Sequence, residues 1–105
     1  ALPENHFDLW HDRAVFHFLT EERERELYLK NLRRSLKPKG HFIAATFAED
    51  GPAKCSGLDV ERYGLEKLRE TVGAEFNLIE SLRERHRTPF ETMQSFLYAH
   101  FQLKK

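Results

Sequence analysis

Cysteine is nearly absent from this chain of 105 residues: Cys55 stands alone, which excludes an internal disulfide and fits a reducing compartment. Glycine is sparse too, five residues scattered with no GxGxxG spacing, so no phosphate-cradling loop is present. No stretch approaches the roughly 18 apolar residues of a membrane span, and Ala1-Leu2-Pro3-Glu4-Asn5-His6 has no charged-then-apolar leader pattern. A cytoplasmic protein with no membrane partner is expected. Charge of either sign is not in excess, with 17 basic and 17 acidic residues, so no global field draws nucleic acid or acidic lipid. The histidines show no i, i+4 pair on a helix and no CxxC accompanies them, which argues against a metal site.

What is present is ordinary globular material. The chain is 40% hydrophobic and 32% charged, with nine phenylalanines, enough for one small domain built around aromatics. Phe7-Asp8-Leu9-Trp10 reads as an extended segment. From Thr20, a plausible N-cap, the period becomes helical. Glu21 and Glu22 suit the positive end, and Tyr28, Leu29, Leu32 and Leu36 form one stripe. Arg33, Arg34 and Lys37 suit the last turn, and Pro38 with Gly40 stops the helix.

His41 to Phe47 then reads as a strand apolar on both faces, as parallel strands covered by helices are. Residues 48 to 63 show no period and read as a long loop, a candidate site wall. A second helix carries Leu65, Leu68 and Val72 on one face and ends at Gly73. Period two follows twice, in Phe76, Leu78 and Leu82 and in Leu97, Ala99, Phe101 and Leu103, predicting an antiparallel pair. The expected fold is α/β: strand, helix, strand, helix and two closing strands, with the first strand's outer edge unpaired and prone to pair with a second copy.

The densest polar cluster is Trp10-His11-Asp12-Arg13, at the carboxyl end of the first strand, where open α/β sheets bind ligands. Asp12 could accept from an amine or hydroxyl, Arg13 hold a carboxylate, and Trp10 cover an apolar or cationic face. The bland alternative is an Asp12 helix cap and an Arg13 surface ion pair. His17, between Phe16 and Phe18, is either a partly buried histidine or a substrate-facing base. Cys55, with Ser56, lies in the long loop. Lys54 alone gives it little activation, and an unreactive thiol is the expectation. His86, Thr88 and Gln94 form a polar group near the end of the last strand pair, which either closes over a substrate or is a solvated turn.

Residues Phe7 to Leu19 resemble the fourth strand and following segment of class I S-adenosylmethionine-dependent methyltransferases. Leu36-Lys37-Pro38-Lys39-Gly40 and the strand after it resemble that family's turn and fifth strand, with Lys39 where the family usually has glycine. The segments around Cys55-Ser56-Gly57, Arg62-Tyr63 and His86 to Gln94 look like a subgroup of small bacterial members. The resemblance covers nearly the whole chain. It implies a single partial domain over residues 1–105, the carboxyl-terminal half of a Rossmann-like sheet. The family's first three strands, glycine-rich turn and ribose-holding acid have no counterpart here.

By resemblance the cofactor is S-adenosylmethionine, flanked by Trp10, His11, Asp12 and Arg13. A small-molecule acceptor would face His17, Cys55, Ser56, Tyr63, His86, Thr88 and Gln94, with His17 or Asp12 as base if one is needed. Such a chain transfers a methyl group only as part of a completed enzyme. The competing reading is a non-catalytic α/β module that dimerises through its open edge.

Overall fold

The computed structural model describes residues 2–13, 15–51, 54–55, 58–87 and 93–105, except the side chains of Cys55 and Met93. Its elements are β1 (Phe7–Arg13), a single 3-10 turn (Phe16–Phe18), α1 (Glu22–Ser35), β2 (Leu36–Phe47), β3 (Lys54–Cys55), β4 (Leu58–Asp59), α2 (Leu65–Val72), β5 (Phe76–Arg87) and β6 (Met93–Leu103).

Four strands make the main sheet in the order β1-β2-β6-β5. β1 and β2 are parallel and joined through α1, whereas β6 runs antiparallel to both β2 and β5. The expected α/β order with a non-parallel finish is the observed one. The outer edge of β1 has no neighbour among the described residues.

Side chains alternate across a strand, so the register sorts the residues by face. Phe42 pairs with Phe101 and Ala44 with Ala99, and both pairs lie in the main core with Leu29 and Leu32 of α1 and Leu68 and Val72 of α2. Phe42 and Phe101 stack at 6.0 Å, and Phe76 meets Phe101 edge-on at 6.3 Å. This is the helix-covered face. The alternate residues, among them Leu9, His11 and Arg13 of β1, His41 and Ile43 of β2, and Tyr98 and His100 of β6, point the other way. Among the described residues that second face is covered only at the carboxyl end of β2, where Phe47, Phe96 and Val60 form a small cluster with Phe18 and Tyr98 against it.

Several boundaries differ from the sequence expectation. β1 runs on to Arg13. Helix α1 is capped by Glu21 rather than Thr20: the Glu21 carbonyl accepts the first helical bond from Arg25, and the Glu24 carboxylate accepts the Glu21 N–H at 3.2 Å. The helix stops at Ser35, and Leu36, fully buried, is already the first residue of β2. Its last carbonyls are taken by the incoming chain, the N–H of Asn5 donating to Arg34 and that of His6 to Ser35.

Between Leu36 and His41 the partner of β1 jumps, because residues 37–40 bulge out of the ladder. Lys39 holds φ of 64°, and a Cβ on Gly40 would sit 2.8 Å from the Lys37 carbonyl, so the turn needs glycine at 40 and would welcome it at 39. Gly73 ends α2 with φ of 100°, as the sequence led one to expect.

The expected alternation of Phe76, Leu78 and Leu82 fails at a bulge between Leu78 and Glu80, which turns Leu82 to the open face, where it is 58% exposed. The long loop also holds more order than its composition suggests: β3 and β4 pair as a short hairpin, and Ala48 bridges Tyr63.

Candidate functional site

The carboxyl end of β1 is built around one carboxylate. Asp12 is 4% exposed, and its Oδ1 accepts the N–H groups of Val15 at 2.9 Å and Phe16 at 3.1 Å, capping the 3-10 turn. Its Oδ2 accepts the Tyr28 hydroxyl from α1, and that hydroxyl accepts the Trp10 indole N–H at 3.0 Å. Burial, then the bond to Asp12, pushes the Tyr28 pKa far above its ordinary value. Trp10, Tyr28 and Asp12 thus tie β1, α1 and the turn together. The cap role weighed for Asp12 is what its contacts show, and three donors from the chain itself occupy the carboxylate.

The four residues Trp10 to Arg13 do not share one surface. Trp10 and Asp12 lie on the helix-covered face, whereas His11 and Arg13 are exposed on the open face, the direct result of strand alternation. Among the described residues Arg13 forms no ion pair, so the alternative of a surface pair has no partner there.

His17 is wholly buried, its ring 4.5 Å from that of Phe47. Its Nδ1 accepts the Phe47 N–H at 3.0 Å, so the neutral ring carries its proton on Nε2, which has no partner among the described residues. Burial lowers its pKa, and the negative charge of Asp12 opposes this without reversing it. A general base needs a free lone pair. In this arrangement the Nδ1 lone pair of His17 is taken by the Phe47 N–H, and three donors of the chain already bind the Asp12 carboxylate.

Tyr63 is buried against Phe16, with ring centroids 5.6 Å apart, and its N–H donates to the Phe47 carbonyl at 3.0 Å. Burial lifts its phenol to about 12, with Arg25 pulling down and Glu61 pushing up. Lys67 sits 5.0 Å above its ring. Tyr63 is therefore a core residue under the loop and not an open contact.

His86 and Gln94 face each other across β5 and β6. His86 Nε2 lies 2.8 Å from a Glu84 carboxylate oxygen, and its ring meets Phe96 edge-on at 5.5 Å. Phe96 contacts Phe47 at 5.0 Å, and Phe47 contacts His17, so a line of rings joins His17 to His86 across the covered end of the second face. Cys55 enters only through its backbone, paired with Leu58, and Ser56 and Thr88 lie outside the described residues.

Beside that line, Arg13, Ile43, Leu82, His86, Tyr98 and His100 border an open depression of about 600 Å³ on the second face. It brings together two residues singled out from the sequence, Arg13 and His86. It also includes Tyr98 and His100, which period two alone could have placed on that face. A second hollow of about 650 Å³ lies between Glu49 and the start of α2, lined by Glu61, Arg62, Glu66 and Lys67. Tyr28, the hub of the Asp12 network, was read from the sequence only as part of an apolar stripe.

Comparison with known proteins agrees with this architecture. A family model described as a methyltransferase domain matches residues 1–44. A S-adenosylmethionine-dependent methyltransferase from Methanosarcina mazei superimposes with a TM-score of 0.76 at 12% identity, over 98% of this chain and 62% of that one. The 1,6-didemethyltoxoflavin-N1-methyltransferase of Burkholderia thailandensis, solved with bound 1,6-didemethyltoxoflavin and S-adenosylhomocysteine, gives 0.75 at 20% identity, over 100% of this chain and 47% of that one. The N-methyltransferase NodS of Bradyrhizobium japonicum, in complex with S-adenosylhomocysteine, gives 0.70 at 19%, over 96% and 48%. Among curated proteins none matches significantly.

The fold is that of the class I S-adenosylmethionine-dependent methyltransferases, as the resemblance implied. The chain spans 47% to 62% of the length of these three solved structures. Among the described residues no helix is long and apolar enough to cross a membrane.

Proposed function

We propose that this chain is the acceptor-side, carboxyl-terminal half of a cytoplasmic methyltransferase that moves a methyl group from S-adenosylmethionine to a small molecule. The observation that carries the proposal is the sheet. The parallel pair β1-β2 around α1, with antiparallel β6 inserted between β2 and β5, superimposes over nearly its whole length on methyltransferases, and residues 1–44 match their domain model.

The residues of this chain do not by themselves form a cofactor cradle. Its glycines are scattered, and Asp12 and the Trp10 indole are occupied internally. Further strands added at the free edge of β1 would bring the glycine-rich turn and the acidic residue that such a cofactor needs. The cofactor, once bound, supplies an electrophilic methyl group. The chain's own part is to exclude water and align an acceptor, which requires no dedicated base.

In this reading the end of β1 borders the cofactor. Arg13, His86 and Gln94 face the acceptor, with Cys55, Ser56 and Thr88 as further acceptor contacts, while Asp12, His17 and Tyr63 hold that end of the sheet in shape. The competing occupant of the β1 edge is a second copy of the chain, a reading favoured by Leu9, 52% exposed beside that edge.

The test is calorimetric titration with S-adenosylhomocysteine. It compares this chain with a longer polypeptide that includes whatever the coding sequence specifies before Ala1. One site in the longer polypeptide, and binding at least about 100-fold weaker in this chain, is expected for a site assembled from two halves. A folded longer polypeptide that binds none would overturn the proposal, and a dimeric mass for this chain would favour the second copy.

A further inference from the structure

The open face carries a pair of imidazoles that the methyl-transfer reading leaves unused. His41 on β2 and His100 on β6 are diagonal neighbours, since His41 pairs with Gln102 and Ile43 with His100. Nδ1 of His41 lies 2.8 Å from Nε2 of His100, the ring centroids are 4.9 Å apart, and both side chains are half-buried, with access to solvent. At this separation one ring donates a hydrogen bond to the other.

We propose that His41 and His100 form an open two-nitrogen site for a late first-row transition-metal dication, Cu²⁺ ahead of Ni²⁺ and Zn²⁺. A metal bound at about 2.0–2.1 Å by two cis nitrogens in a square arrangement holds them roughly 2.9 Å apart, which is the spacing already present. The two rings sit on adjacent, hydrogen-bonded strands, so little order is lost on binding. Rotation of each side chain by about 45° turns both lone pairs from the N–N line toward a shared ion. The ring that donates in the metal-free pair moves its proton to its outer nitrogen, exposed to water.

Neutral imidazole suits these metals and not Mg²⁺ or Ca²⁺, which prefer oxygen ligands. Among the described residues no third His, Cys, Asp or Glu completes a closed set, so the remaining positions belong to water or to a donor atom of a bound molecule. Glu80, paired with His100 on β5, and Arg13, on the rim of the same depression, are the nearby charges on that face. Gln102 is turned away, its amide donating to the Lys39 carbonyl at 3.1 Å.

The experiment is titration of the metal-free chain with Cu²⁺ in a non-coordinating buffer, read by electron paramagnetic resonance and by the histidine ring proton signals. One equivalent with two-nitrogen coupling is expected, with the signals of His41 and His100 broadened first. Binding should weaken at least about tenfold in each of His41→Gln and His100→Gln. His11→Gln should bind as the parent does, and Mg²⁺ should leave every signal unmoved. Absence of saturable binding, or early broadening of other histidines instead, would refute the site. The ring signals of the parent chain decide the matter even if a variant misfolds.

Discussion

The two faces of the main sheet are made by alternate residues of the same strands, yet they have different fates. On one, Phe42, Ala44, Leu97, Ala99 and Phe101 are sealed under α1 and α2. On the other, Leu9 and Leu82 are more than half exposed, and among the described residues Ala45, Phe47 and Phe96 are buried, the two rings packed with Val60 and Phe18. One face carries the main core of this chain, and among the described residues the other is largely open.

That contrast predicts unequal costs of mutation. Phe42→Ala, which empties a fully buried ring position, should cost about 3–5 kcal/mol in urea unfolding, while Leu82→Ala on the open face should cost less than about 0.5 kcal/mol. Equal losses would dissolve the distinction between the faces.

Asp12→Ala should come next, at about 2–4 kcal/mol, because it strands two backbone N–H groups and the Tyr28 hydroxyl. Tyr28→Phe should cost about 1–2 kcal/mol, leaving the Trp10 N–H without its acceptor. If Asp12→Ala were neutral for stability but abolished activity in a completed enzyme, Asp12 would be a catalytic group and not a tether.

The pH dependence follows from His17. Its folded pKa lies below the ordinary 6.5, so at mildly acid pH the unfolded chain binds more protons than the folded one. The contribution of His17 is therefore fully present above pH 6.5 and is lost as pH falls toward the folded pKa. Unfolding curves at pH 7.5 and 5 should diverge for the parent chain and diverge less for His17→Gln; an unchanged difference would place the titrating group elsewhere.

The smallest effect should be Lys39→Gly, which relieves a left-handed φ and should stabilise by about 0.5–1 kcal/mol. A loss on that substitution would show that the Lys39 ammonium, which donates to the Lys104 carbonyl at 2.7 Å, outweighs the backbone term.

Much of this architecture was legible because it is periodic. The stripe of Leu29 and Leu32, the two-sided apolar run of β2, the short α2 ending at Gly73 and the alternation of β6 all report burial against a neighbour. The departures have local causes that no period records. The bulge after Leu78 reversed the side on which Leu82 emerges, and the jump from Leu36 to His41 absorbed residues assigned to a helix end.

The site was half legible. The motif Trp10 to Arg13 drew attention as a polar cluster, but its strand continues to Arg13 and sends alternate members to opposite faces. Asp12 answers to Tyr28, sixteen residues away on a helix, and the pairing of His41 with His100 depends on a register that spans most of the chain.

Hydrogen exchange at β1 tests the central claim most directly, comparing this chain with a longer polypeptide that includes whatever the coding sequence specifies before Ala1. The β1 amides that β2 does not bind should exchange freely in the chain alone and become slow in the longer polypeptide, as further strands take that edge and the open face is covered. Equal exchange in both, with the longer polypeptide folded, would contradict the account.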